Sequence, residues 1–484
     1  MENRAKEVKE QGMTVKKSDD LSEWYNEVVV KAELADHSGA KGFMFIRPYG
    51  YAVWENIQGI LDSKLKKLGH KNAYSPALIP ERLLSKEAEH VKGFAPEAYV
   101  VTHAGSEKLA ERYVLRPTSE TIIYESYAKW IRSHRQLPLL WNFWNSVFRA
   151  EIKMTKLFLR TSEFLWQEGH TVHATEEDCD REVMLILDAY RDLIENYLAI
   201  PVVSGKKSER EKFAGALYTT TLEALMPDGR ALQMGTSHNL GQNFSKAFSI
   251  TFLDADKQRK HAWQASWGVS TRMIGALIMV HGDDKGLILP PRIAPVQIVI
   301  IPILFEKSKD AVLKKAKEMK KALESSFRVE LDDREDYTPG WKFNEHELRG
   351  VPLRIEIGPK DIEKNQAVAV RRDTSEKIVL RENLMEKEIK KLLEEIQKGL
   401  YAKAKNFLEQ NVKNASDLEE VSKHIGKRMV ARVNWCGDGK CEEAVKEKAA
   451  ATLRVIRFDE TAGNSRCFCC GKKALHVAYF SKAY

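Results

Sequence analysis

The rhythm of apolar and polar positions divides the chain into three stretches. From residue 21 to the prolines at 290, 291 and 295, segments of helical spacing alternate with short extended runs. Helices are predicted over 21–34, 51–68, 120–133, 175–198 and 270–281. In the second of these, Tyr51, Trp54, Ile57, Ile60, Leu61, Leu65 and Leu68 form the apolar stripe, and Gly69 is placed to end it. Thr175 followed by Glu176, Glu177 and Asp178 marks a helix start, with acidic groups near the positive end of the dipole. Extended runs are predicted over 43–48, 72–78, 113–120, 201–204, 216–224, 230–238, 246–254 and 260–268; residues 80–105 read as loop-rich. The second stretch opens at 296–303 with a nearly continuous apolar run, the pattern of a strand buried on both faces. Helix 307–325, strand 328–331, helix 340–349 and strands 353–357 and 366–371 follow, the alternation of a small α/β domain. A charged segment over 384–409 reads as a solvated bridging helix, and residues 429–484 hold a cysteine cluster.

Residues 148–170, FRAEIKMTKLFLRTSEFLWQEGH, carry the most unusual pattern. Two extended runs flank a basic connector at 152–157, which predicts an antiparallel hairpin within 137–172. Alternation then places Arg160, Ser162, Phe164, Trp166, Glu168 and His170 on one face, and Arg149 with Glu151 on one face of the first run. Guanidiniums, carboxylates, an imidazole and two aromatic rings on one sheet face suit a ligand with anionic and flat apolar parts. An exposed strand with routine ion pairs would show the same pattern.

Composition narrows the class. The chain has 484 residues, enough for two to four domains, with 43% hydrophobic and 30% charged residues, as in ordinary soluble proteins. A net charge of +8 fits a polyanionic partner without demanding one. No apolar run reaches membrane-spanning length, and the first twenty residues lack the apolar core of a signal peptide. Residues 1–20 are expected to be a disordered or helical tail and the protein cytoplasmic. Five of the six cysteines lie between Cys436 and Cys470. Cys436 with Cys441 and Cys467 with Cys470 form two ligand pairs suited to tetrahedral structural Zn²⁺; Cys469 is a spare thiol that could replace a neighbour. Cys179, alone in a helical segment, is expected to have no functional role. No GxxxxGK[ST] loop is present, so a triphosphate would be held by side chains. Arg149, Arg160 and Arg272 sit among apolar residues, where a charge needs a partner; ATP with Mg²⁺ would supply one, and Phe164 could stack on its purine.

FRAE, a loop and RTSEF resemble motif 2 of the class II aminoacyl-tRNA synthetases. The segment ending at Pro76 resembles motif 1, and GVSTRMIGALI, with Arg272, resembles motif 3. More narrowly, RPTSE at 116–120, FLWQEGH at 164–170 and SWGVSTR at 266–272 look like the prolyl-tRNA synthetases, and the cysteine-rich tail looks like their archaeal and eukaryotic-like branch. The resemblance runs from about residue 21 to the C-terminus. It implies a class IIa, homodimeric, ATP- and Mg²⁺-dependent ligase that activates proline to prolyl-adenylate and transfers it to the 3′ end of tRNA(Pro). The fold implied is an α+β catalytic domain over 21–292, an antiparallel sheet with flanking helices, then an α/β anticodon-binding domain over 293–398 and a small α+β zinc-binding domain over 399–484.

The resemblance also implies roles. Arg149 would contact the ATP α-phosphate and the substrate carboxylate, and Glu151 would bind the adenine amino side or orient Arg149. Arg160 and Arg272 would hold the β- and γ-phosphates, with Arg149 and Arg272 as the catalytic pair; Phe164 would stack on adenine. Gln233, Thr236 and His238 resemble the family's ATP-contacting stretch. No protein nucleophile is needed, because positioning and electrostatics carry such a reaction. Thr118 and Glu120 suit the secondary ammonium of proline, and Trp166, Glu168, His170 and Phe213 would shape the ring pocket, with Arg149, His238, Ser266 and Gly268 completing the proline set. Lys342, Glu345, Glu347, Arg349, Arg354 and Lys360 are the anticodon candidates, being residue types that match base-edge donors and acceptors. Lys153 and Lys156 in the connector would meet the tRNA acceptor end, and residues 478–484 are apolar enough to dock toward the active site. A missing methylene costs only about 1–3 kcal/mol, so alanine and cysteine are expected to be activated to some degree. The interval 170–272 is too short for a large editing insertion, so no cis-editing is expected. Two alternatives fit parts of the pattern. A class IIa synthetase for threonine is disfavoured by FLWQEGH, and a catalytically inactive synthetase-like tRNA-binding factor by the intact Arg149, Arg160 and Arg272.

Overall fold

Most of the longer extended runs of the first stretch meet in one sheet. The computed structural model describes residues 12–84, 97–150 and 154–484. Six antiparallel strands form the catalytic part, in the order Val203–Lys206, Tyr218–Leu225, Arg230–Gly241, Trp263–Ser270, Glu163–His173 and Leu139–Phe148, with Lys71–Ala73 parallel at the edge. Helices Leu21–Lys31, Pro48–Lys67, Glu176–Asp192 and Arg272–His281 pack their apolar sides, including Trp24, Ile57, Ile186 and Ile274, into the main core. Gly69 adopts a φ of 95° directly after the second of these helices, and the Thr175 hydroxyl accepts from Asp178 N at 3.2 Å at the start of the third.

Several expected boundaries change, each for a local reason. The run 72–78 is two strands, Lys71–Ala73 and Leu78–Pro80, because Pro76 between them offers no N–H to a ladder. Residues 246–254 contain the end of helix Asn243–Phe248, then strand Thr251–Leu253; Phe244 and Phe248 bury against Tyr124, so packing overrides the local preference. The hairpin ladder ends at Phe148 and resumes at Glu163, so Arg149, Arg160 and Ser162 lie outside the period-two face assigned to them. Distal to the hairpin tip, Leu157, Phe158 and Leu159 are buried, and Leu157 O accepts from Tyr25 Oη at 2.7 Å.

The second stretch is a five-stranded sheet in which four strands run the same way and Gln366–Arg371 opposes them; one of the four, Lys377–Arg381, lies outside the expected extended runs. The expected solvated helix is amphipathic: within Met385–Asn411, the stripe Ile389, Leu392, Leu393, Ile396 and Leu400 closes this domain's core. Arg372 bonds both carboxylate oxygens of Asp283 (2.9 and 2.6 Å), and Gln397 Nε2 donates to Asn196 O (2.9 Å), tying the domain to the catalytic one.

The C-terminal segment extends the catalytic sheet. Strand Thr452–Arg457 pairs with Val203–Lys206, and His476–Ala483 pairs with Thr452–Arg457, Val430–Trp435 and the start of Arg230–Gly241. With Val412–Asn414 paired beside Val430–Trp435, eleven strands among the described residues form one continuous sheet. No helix among the described residues is long and apolar enough to cross a membrane.

Candidate active site

Strand register builds the site. Thr219, His238, Ser266 and His170 lie opposite one another across four neighbouring strands, and Thr236, Gly268 and Glu168 form the next row. Opposed residues share a face, so these rows present one polar surface. Gly268 adds no side chain to its row, which leaves the floor open beside Trp166. The loop residues Thr118, Arg149 and Phe213, together with Glu120 at a helix start, close over this surface around a cavity of about 280 Å³. Phe164, Trp166, Gln233 and Arg272 complete the lining contributed by the sequence-derived candidates.

Three donors converge on the Glu168 carboxylate: the Ser119 hydroxyl, Asn145 Nδ2 at 2.8 Å and His170 Nε2 at 3.0 Å. Thr118 Oγ1 donates to Glu120 Oε2, and Tyr124 Oη lies 3.3 Å from His170 Nδ1. Burial by itself would raise the Glu168 carboxyl, but the His170 charge and the bonds from His170, Asn145 and Ser119 hold it below its ordinary value. Burial likewise opposes the His170 imidazolium, yet Glu168 and Glu120 more than offset it and raise its pKa. His238 behaves in the opposite way: burial, reinforced by His170, pushes it down to about 3. Its Nδ1 is 2.8 Å from Thr219 Oγ1, and its ring lies 4.8 Å from that of Phe213. Trp166 Nε1 and Ser266 Oγ are buried without a hydrogen-bond partner among the described residues, as polar atoms at a ligand surface are.

The Arg149 guanidinium carbon sits 5.3 Å from the Phe164 ring and 5.7 Å from the Trp166 ring, so cation and aromatic wall form one unit. Arg272 lines both this cavity and a larger one of about 1570 Å³. Arg160 lines only the larger one, because the chain turns at Lys156–Arg160 before the ladder starts. Glu151 and Lys153 lie outside the described residues. Lys156 is 4.7 Å over the Tyr25 ring and bonds Ser22 Oγ (3.3 Å). The C-terminal Tyr484 also lines the larger cavity, with its hydroxyl on Asp228 Oδ2 (2.7 Å).

Ser119, Asn145, Glu211 and Thr219 were not singled out in the sequence. Asn145 could have been found, since hairpin register sets it opposite Trp166. Ser119 sits between two candidates in RPTSE but bonds Glu168, which no local pattern reveals. Glu211 reaches the cavity from a distant loop.

The anticodon candidates are distributed differently. Lys342 is buried and donates to Asp332 O at 2.9 Å; Arg334 binds Asp332 and Glu345. Arg354 pairs with Glu347 (3.3 Å) and Glu356 (2.9 Å), and Arg349 pairs with Glu33 of the catalytic domain. Lys360 is exposed.

Cys436, Cys441, Cys467 and Cys470 bring their sulfurs within 4.8 Å of one another. The separations are 3.8 Å for Cys436–Cys441, 3.6 Å for Cys436–Cys470 and 3.9 Å for Cys441–Cys467. A zinc tetrahedron with Zn–S bonds of about 2.3 Å has S···S edges of about 3.8 Å, so the set fits that ion. Cys469 stands outside this group of four. Cys179 is a core residue whose thiol donates to Gln264 O at 3.2 Å.

Comparison with known proteins places this geometry. Residues 99–281 match the family described as tRNA synthetase class II core domain (G, H, P, S and T). Residues 297–398 match Anticodon binding domain, and 418–484 match Prolyl-tRNA synthetase, C-terminal. A proline–tRNA ligase of Natranaerobius thermophilus is 54% identical over 470 residues, covering 96% of this chain and 97% of that protein. One from Alkaliphilus oremlandii is 54% identical, covering 96% of each, and a proline–tRNA ligase 2 of Bacillus cereus is 52% identical, covering 99% of this chain and all of that protein. Identity above one half along nearly the full length of such relatives settles the ancestry, and the chain belongs to the prolyl-tRNA synthetase family of class II aminoacyl-tRNA synthetases.

Proposed function

We propose that the chain is a proline–tRNA ligase whose 280 Å³ cavity takes proline beside ATP. The observation that carries this is the polar cluster: two buried acidic side chains, Glu120 and Glu168, stand beside a single basic one, His170, which is bonded to Glu168, beneath aromatic walls. One secondary ammonium on an apolar ring complements that. Trp166, Phe213 and His238 supply the ring slot, with Thr118, Ser266 and Gly268 around it.

Arg149 then receives the carboxylate and the α-phosphate. A carboxylate oxygen of proline attacks the α-phosphorus, the bond to the β-phosphate oxygen breaks, and pyrophosphate leaves. Arg149 neutralises the charge that builds on the α-phosphoryl oxygens, and Arg272, at the junction of the two cavities, takes the leaving phosphates. Arg160 extends this cationic path into the larger cavity. Phe164 stacks on adenine, Gln233 and Thr236 flank the nucleotide, and Glu151 serves the adenine or orients Arg149. Mg²⁺ supplies charge neutralisation on the phosphates. A ribose hydroxyl at the 3′ end of tRNA(Pro) then attacks the acyl carbonyl, and AMP leaves. Lys153 and Lys156 approach the tRNA acceptor end, and Lys360, which is exposed, is an anticodon candidate together with Lys342, Glu345, Glu347, Arg349 and Arg354. The four thiolates hold structural Zn²⁺. The working division is a tail at 1–20, catalytic domain 21–292, anticodon-binding domain 293–398 and zinc-binding domain 399–484, in a cytoplasmic homodimer.

Amino-acid-dependent ATP–pyrophosphate exchange across all twenty amino acids tests this. Proline should dominate, with alanine and cysteine roughly 10–200-fold weaker per missing ring contact. Exchange with threonine alone would point to a different synthetase, and no exchange to an inactive tRNA-binding factor. Rapid hydrolysis of Ala-tRNA would overturn the absence of editing.

A further inference from the structure

Residues 207–215, KSEREKFAG, connect two strands of the catalytic sheet and carry Glu211 and Phe213 into the lining of the pocket. The segment has charged residues at Lys207, Glu209, Arg210, Glu211 and Lys212, and Phe213 is its one large apolar side chain. Its position therefore depends on polar anchors. Some are local: Phe213 N donates to Thr219 Oγ1 at 2.9 Å, and Lys212 Nζ donates to Leu217 O at 3.3 Å. The long-range anchors are mostly supplied by the C-terminal domain. Ser208 Oγ donates to Glu442 Oε2 at 2.8 Å, with both residues buried. Arg210 Nη2 donates to Glu443 Oε2 at 3.2 Å. Lys207 Nζ donates to Arg454 O at 3.1 Å and to Glu223 Oε1 at 2.6 Å. Arg454 in turn binds Glu223 at 3.0 Å and lies 3.9 Å from Glu211 itself.

The fit at this junction is close. A Cβ on Gly439 would stand 2.9 Å from Arg210 Nε, so the guanidinium stem lies directly on the first turn of helix Gly439–Ala449. That same turn holds Cys441, one of the four clustered thiols, and Glu442 and Glu443 follow it directly. The thiol cluster and the pocket loop are thus attached to one short helix.

We propose that Glu442, Glu443 and Arg454 are positioning residues for the amino-acid pocket, fixing the 207–215 loop so that Glu211 and Phe213 form its wall. This rests on reading the pocket as the proline site. None of the three touches the cavity; they act through Ser208, Arg210 and Glu211.

Hydrogen exchange of the full-length protein, followed with proline and ATP kinetics, tests it. In Glu442→Ala the buried Ser208 hydroxyl loses its acceptor, and exchange in 207–215 should quicken about tenfold, with a similar rise in proline KM. The KM for ATP should stay within about twofold, and Glu442→Gln, which keeps an acceptor, should restore most of both. Arg210 and Glu443 are half exposed, so their variants fold even if Glu442→Ala does not. Arg210→Glu should quicken exchange in 207–215, and adding Glu443→Arg should slow it again. The proposal is overturned if 207–215 exchanges at the parental rate in both Glu442→Ala and Arg210→Glu, or if the quickening spreads equally through the whole chain. The exchange readout does not depend on which amino acid is activated. An unaltered protein without proline-dependent exchange of pyrophosphate would sink the proline reading and leave the positioning to be decided by hydrogen exchange alone.

Discussion

Substituting Glu168 by glutamine isolates the charge balance of the pocket. The residue is 2% exposed and accepts from Ser119, Asn145 and His170. Glutamine keeps one acceptor oxygen and the shape, and removes one negative charge. With His170 protonated, the pocket then carries no net charge toward an incoming ammonium. A unit charge lost about 4 Å away is worth about 4 kcal/mol at an effective dielectric of about 20, roughly a thousandfold in affinity. The same substitution leaves burial acting on His170 with Glu120 as the remaining named counter-charge, so its pKa falls from its raised position. Once His170 loses its proton, the net negative charge returns. Proline KM should therefore rise by up to about a thousandfold where His170 keeps its proton, and the rise should be smaller at pH 8.5 than at pH 6. The KM for ATP should change less than about threefold, since charge near the ammonium is far less coupled to the nucleotide. Initial rates of pyrophosphate exchange against proline at the two pH values, with ATP saturating, measure this. A proline KM within threefold of the parent at both pH values would refute the charge balance, and an equal large rise at both would refute the role of the His170 proton.

Gly169→Ala places a Cβ 2.1 Å from Trp267 ring atoms that are themselves buried, so the strand must shift. Overpacking of this kind costs about 1–3 kcal/mol, and displacement of the flanking Glu168 and His170 should lower kcat about a hundredfold; thermal melting and pyrophosphate exchange report the two effects. Burial lowers His173 and His281 to about 4 and His238 to about 3, below the unfolded value of about 6.5. The unfolded chain binds more protons there, so stability is lost as pH falls from about 6.5 toward 4, each histidine costing about 1.4 kcal/mol at pH 5.5 while His170 partly compensates. His281→Gln, which can still donate to Leu198 O, should lose less stability than the parent between pH 7.5 and 5.5 in urea melts; equal losses would count against a buried neutral His281. Cys441→Ser combined with Cys469→Ser, which removes the spare thiol, should abolish about one bound zinc per chain and quicken hydrogen exchange across 430–483; stoichiometric zinc in that double variant would refute a four-thiolate site.

Much of the site was legible because its residues cluster in short, patterned runs. Phe164, Trp166, Glu168 and His170 share a strand face by alternation, and the structure keeps them together in the cavity. The same rule failed for Arg160, which lies three residues before Glu163, the first residue of that ladder. Alternation holds only while the ladder lasts, and where it starts is set by pairing with another strand. Helix Met385–Asn411 shows a similar limit: its charge density masks an apolar stripe whose role is visible only once the small α/β core stands beside it.

The sequence by itself determined the longer helices and the central hairpin, the motif residues of the pocket and the two cysteine pairs, because each of these is a pattern of neighbours along the chain. The tertiary structure alone decided which charges meet. Lys342, Arg349 and Arg354 have no marked partner in the sequence, and the fold sets them against Asp332, Glu33 and Glu356. Glu223 finds Arg454 across 231 positions, beside the backbone pairing of Thr452–Arg457 with Val203–Lys206 that makes the C-terminal strands part of the catalytic sheet. A buried charge must have a partner, but composition does not say which one; only the path of the backbone brings a given carboxylate to a given cation.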